Sequence, residues 1–196
     1  MQAFRIGSGA GYSGDRIDPA RDLAERGALN ALVFECLAER TIALAQLRRS
    51  LDPGVGYDPL LEERLHAVLP ACVAQGTTLI TNMGAANPQA AGEAVLAVGR
   101  ALGLPRLRVA VVTGDDVLAW MQVHDVPLMD SAESVRSLDG RLISANAYLG
   151  ADALLPALRA RADVIITGRV ADPALFLAPL MHHFGWQADD WQRLGQ

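Results

Sequence analysis

The segment DVIITGRVADPALFLAP, residues 163–179, sets a guanidinium and a carboxylate three positions apart just after an apolar β-branched run. Arg169 suits a carboxylate or phosphate because its planar fork makes bidentate hydrogen bonds. Asp172 is a candidate general base, as are Asp15 and Asp115. Asn82, Asn87 and Asn146, like Thr167 and Gly168, follow apolar runs. In a parallel sheet all of them converge on one edge as candidate ligand-binding groups. Two plainer readings stay open: each Asn is a turn or cap residue, and Arg169 is paired with Asp172.

A second constellation is GSGAGYSGDR, residues 7–16. Gly9, Gly11 and Gly14 satisfy G-x-G-x-x-G, and Glu35 stands about 20 residues further on, as in a dinucleotide fingerprint. That motif launches its helix from the third glycine, whereas here Asp15, Arg16, Ile17 and Asp18 intervene before the next helix start at Pro19. Three readings remain: an NAD or FAD site, a purely structural turn, and a loop in which Gly7, Ser8, Gly9, Gly11 and Gly14 offer backbone N–H groups to some other anion. Asp115 and Asp116 could hold a divalent metal with Asp172 or Glu35; otherwise one of the pair caps a helix beginning at Val117. His66, His124, His182 and His183 form no zinc spacing with one another or with cysteine, and there is no P-loop, G-x-S-x-G or H-E-x-x-H. No cofactor is assigned, and a divalent metal stays possible.

Positioning these groups calls for an α/β fold, Rossmann-like and layered, with a mostly parallel central sheet. At 196 residues one α/β domain is the default, with a possible insertion over 119–141 where periodicity weakens. Half the residues are hydrophobic but only 5% are aromatic, which favours helices packed on a parallel sheet over an all-β sandwich. Short apolar runs predict strands at 3–6, 31–34, 78–81, 107–113, 142–145 and from 164. Helices are expected at 18–26, 38–50, 60–75, 88–102, 151–161 and from Asp172, placed as an N-cap before Pro173, to about Phe184.

The formal charge of -5, with no basic cluster longer than Arg48 and Arg49, argues against nucleic acid or an anionic membrane as partner and for a small soluble ligand. Cys36 and Cys72 lie in apolar surroundings and read as buried, inert thiols of a reducing cytosol, ahead of a disulfide or a nucleophile. Phe4 to Ile6 lead straight into glycines, and no apolar run reaches the roughly 18 residues that span a bilayer, so a cytoplasmic location is expected.

GSGAGYSGDR, SANAYLGADALLPAL (144–158) and above all ADVIITGRVADPALFLAPLMHHFGW (162–186) resemble the amino-terminal domain of the acyclic terpene utilisation A family. The resemblance implies a longer architecture, continuing past the tail that carries Trp186 and Trp191, and a place in the catabolism of acyclic terpenoids such as citronellol and geraniol through CoA thioesters. Joined to the residues above, it leads to an enzyme, or the catalytic half of one, acting on a carboxylate or acyl-CoA intermediate by hydration, dehydration or lyase chemistry. A nucleotide-dependent enzyme using the glycine loop, and a non-catalytic subunit that assembles with itself or a partner, are the alternatives.

Overall fold

The computed structural model describes residues 3–129, 131–138 and 140–195. Runs of apolar and β-branched residues become the strands β1 (Ile6–Ala10), β2 (Ala31–Phe34), β3 (Thr78–Thr81), β4 (Val109–Val112) and β5 (Val164–Thr167). All pair in parallel, in the order β1-β2-β3-β5-β4. Every residue of β2 and β5 is buried, as expected of strands covered on both faces.

The helices are α1 (Asp18–Arg26), α2 (Glu39–Leu51), α3 (Leu61–Gln75), α4 (Pro88–Ala101), α5 (Leu118–His124), α6 (Leu155–Arg159), α7 (Asp172–Phe184) and α8 (Trp191–Leu194). Successive strand residues point to opposite faces, so each strand feeds two cores. Leu32, Phe34, Leu79, Val164 and Ile166 pack with α1, α3 and α4. Ala31, Val33, Ile80 and Ile165 pack with α6 and α7. The helices that follow the adjacent strands β3 and β5 therefore lie on opposite faces. This is a topological switch point, and the crevice beyond its carboxyl ends is where α/β sheets bind ligands.

Several sequence expectations need correction. The first strand is Ile6–Ala10, so Gly7, Ser8 and Gly9 belong to β1 and the loop is shorter. Packing favours glycine there: a Cβ at Gly9 would lie 2.7 Å from the buried Phe34 ring, and one at Gly7 2.5 Å from Leu29 Cδ1, the end of a flexible side chain that would have to shift. Residues 142–145 form no strand; instead Asn146 bridges to Asp116 and Leu149 to Val170. The helix expected at 151–161 divides into a 3-10 turn, Ala151–Leu154, and α6, because Pro156 favours a fresh helical start. Helix α5 starts at Leu118 with Val117 as its N-cap, while Asp116 Oδ1 accepts from Leu118 N at 3.3 Å. Within the possible insertion, α5 is followed by a 3-10 turn, Val135–Leu138; Asp130 and Asp139 lie outside the described residues. Among the described residues no helix is long and apolar enough to cross a membrane.

Candidate functional site

At the end of β5 the chain turns through Gly168 and Arg169 into α7. Asp115, after β4, organises that turn: its Oδ2 accepts from Arg169 N at 2.8 Å and from Asn146 Nδ2 at 2.9 Å. Asp115 is 4% exposed, and its other oxygen, Oδ1, makes no hydrogen bond among the described residues. Asn146 is steadied in turn by Gln46 of α2, whose Nε2 donates to Asn146 Oδ1 at 3.2 Å.

The guanidinium of Arg169 is the most consequential group here. It is 3% exposed, donates from Nη1 to Leu37 O at 2.7 Å, and lies 4.6 Å from the centroid of the Tyr148 ring. No carboxylate approaches it within ion-pair distance among the described residues, so the alternative in which it pairs with Asp172 is not what the structure forms. Tyr148 is exposed and donates its hydroxyl proton to Glu39. This bond holds Glu39 below the usual carboxylate range, and Arg169 acts in the same direction.

Asp172 is the first residue of α7, and its side chain makes no capping bond, contrary to the expected N-cap; Ala171 occupies that position. Partial desolvation, joined by repulsion from Glu35 and Glu39, raises its pKa against the opposing pull of Arg169. The carboxyl edge therefore gathers one enclosed guanidinium and several carboxylates of differing proton affinity, the combination that supports proton transfer.

Asn82, at the end of β3, is fully buried and donates from Nδ2 to Glu35 Oε1 at 2.9 Å while its Oδ1 accepts from Cys36 N at 2.7 Å. It orients Glu35, which is also held by Leu37 N at 3.0 Å. Thr167 is buried beneath the turn, its Oγ1 donating to Gly168 O at 3.0 Å. Asn87 does not face the crevice as a free group: it caps α4, accepting from Ala90 N and donating to Pro53 O and Val55 O. Asp15 staples the glycine turn, accepting from Gly11 N and Arg16 N at 3.0 Å each, and these bonds lower its pKa. A carboxylate so held is a poor base near neutral pH.

Residues 4–196 match the family model described as acyclic terpene utilisation family protein AtuA. The chain belongs to that family. Membership implies a role in acyclic terpene utilisation. None of the curated proteins and none of the solved structures matches the chain.

In this AtuA-family chain the G-x-G-x-x-G match departs from the dinucleotide fingerprint: Gly9 lies within β1, and α1 begins at Asp18, beyond the third glycine. The turn is shaped instead by Arg64 of α3, a residue that belongs to none of the sequence motifs. It is fully buried, and its Nη2 donates to Ser13 O at 2.8 Å and Asp15 O at 3.1 Å. Its Nη1 lies 3.6 Å from Asp58 Oδ1 and 3.3 Å from Cys36 Sγ, and its Nε is buried without a partner. Burial pushes the Cys36 thiol up to about 12 and that of Cys72 up to about 11, in line with inert thiols. Among the described residues no group of three or more His, Cys, Asp or Glu side chains is arranged to hold a metal ion. A separate cavity of about 300 Å³ lies at the opposite, amino-terminal end of the sheet, lined by Phe4, Asn30, Thr78, Arg108, Arg161 and His182 among others.

Proposed function

We propose that this chain is an enzyme, or the catalytic half of one, that acts on a CoA-thioester or carboxylate intermediate of acyclic terpenoid breakdown by hydration, dehydration or lyase chemistry. The observation that carries the reading is Arg169, which is 3% exposed and has no carboxylate within ion-pair distance among the described residues. An enclosed cation without an ion-pair partner costs several kcal/mol, and a ligand group that stabilises it offsets that cost. The field of Arg169 is felt at Glu39 and Asp172, and these carboxylates would repel a free carboxylate at that spot but not a neutral thioester carbonyl. A thioester carbonyl enters neutral and gains negative charge only as the reaction proceeds, so Arg169 stabilises it most when it matters.

Asp172 is the proton-transfer residue in this scheme, its raised pKa bringing it closer to working pH. Asp115 is a positioning residue, fixing the backbone N–H of Arg169 and the amide of Asn146. The test is turnover of a branched enoyl-CoA thioester by Asp172→Asn and Arg169→Ala. Loss of a proton-transfer group is expected to slow turnover by about 10²–10⁴-fold, and loss of the charge-stabilising donor by about 10²–10³-fold. Wild-type rates in both variants would remove the assignment.

A further inference from the structure

A cleft of about 400 Å³ opens between the turn after β1 and the amino-terminal half of α2. Tyr12, Ala38, Arg40 and Leu44 form its exposed rim, and the buried Cys36 and Leu37 its floor. The one carboxylate lining it is Glu35. Glu35 is anchored on one side only: Oε1 accepts from Leu37 N and Asn82 Nδ2, while Oε2 makes no hydrogen bond among the described residues. A side chain braced in this way presents a fixed, unused acceptor beside an apolar wall. Leu37 ties the cleft to the centre described above, because its carbonyl takes the Arg169 hydrogen bond.

We propose that this cleft is a binding site for the hydrocarbon chain of the ligand, and that Glu35 Oε2 accepts a hydrogen bond from a hydroxyl group on that chain. An alcohol fits this acceptor; a second carboxylate does not, since like charges repel across a site of low dielectric. The chain site stands on the cleft alone. The identity of the hydroxyl rests on the hydration reading, in which water adds to an alkene and the product carries the hydroxyl that Glu35 holds. Leu44 is assigned as the residue that limits the chain, because it stands on the exposed rim of the cleft.

The experiment compares binding of nonan-1-ol with its isostere 1-methoxyoctane, by ligand-observed NMR, to wild type, Leu44→Trp and Glu35→Gln. Wild type is expected to prefer the alcohol by about tenfold, the worth of one hydrogen bond to a charged acceptor. Leu44→Trp fills the cleft and weakens both probes by about tenfold or more; Leu44 is exposed, so the change does not disturb the core. Glu35→Gln turns an amide donor toward the head group and abolishes the preference for the alcohol. The probes carry no thioester, so their binding reads the chain site alone, and failure of the thioester chemistry, read by turnover of an enoyl-CoA thioester, is distinguished from failure of the chain site. Equal binding of alcohol and ether to wild type, or undiminished binding to Leu44→Trp, overturns the proposal.

Discussion

Gly168 and Asp115 are matched by space: a Cβ at Gly168 would lie 2.5 Å from Asp115 Oδ2, the oxygen that holds Arg169 N. A methyl group there displaces the carboxylate that organises the β5–α7 turn. Gly168→Ala is expected to cost about 1–3 kcal/mol, the usual range for overpacking, and to lower turnover through misplacement of Arg169. Urea denaturation and kinetics on the same preparation check both; an alanine variant as stable and active as wild type would mean that Asp115 has room to move.

Arg64 makes a sharper stability prediction. Arg64→Met leaves Asp58, itself 5% exposed, without its cation and releases the carbonyls of Ser13 and Asp15. Breaking one side of a buried ion pair costs about 3–5 kcal/mol. The double variant Arg64→Met/Asp58→Asn should recover part of the loss, and a double-mutant cycle in urea measures it. A single-variant loss below about 1 kcal/mol would show that the pair is not buried as described.

For Asp172 the sign follows from its raised folded-state pKa. The native state binds this proton more tightly than the unfolded chain, so the contribution is fully present below the unfolded value of 3.8 and is lost as pH rises through the folded value. Asp172→Asn removes that dependence. The variant should gain stability relative to wild type at pH 7 compared with pH 3, while turnover falls. Parallel stability–pH curves for the two proteins would contradict it.

Cys36 should resist labelling. With its thiol pushed up to about 12 by burial, the thiolate fraction at pH 8 is on the order of one in 10⁴. Native protein is expected to react with an aromatic disulfide reagent far more slowly than urea-unfolded protein, and rapid reaction of the native thiol would refute the assignment.

How much of this was legible in the residues depended on whether a local signal agreed with its tertiary setting. Ala31–Phe34 and Thr78–Thr81 read correctly because apolar runs bounded by turn residues coincide with strands that are buried except at Thr78. Arg169 and Asp172 were legible as a pair because they follow such a run; that they do not bind each other was not, since it depends on Leu37 and Tyr148, distant in sequence. The strand at Ile6–Ala10 was obscured by glycines, which disfavour strands locally and here lie against Leu29 and Phe34. Arg64 looked like an ordinary polar position of an amphipathic helix, and nothing local marks a guanidinium that turns inward to hold carbonyls. Glu35 was legible through the glycine motif and as a possible metal partner; its bracing by Asn82 joins the ends of β2 and β3, distant in sequence.

The most direct measurement is a crystal structure with a branched enoyl-CoA thioester or its hydrated product bound. The account predicts ligand density against the carboxyl ends of β3 and β5, with the thioester oxygen within hydrogen-bond distance of the Arg169 guanidinium. Density confined to the opposite end of the sheet, in the cavity lined by Phe4, Arg108, Arg161 and His182, would contradict it.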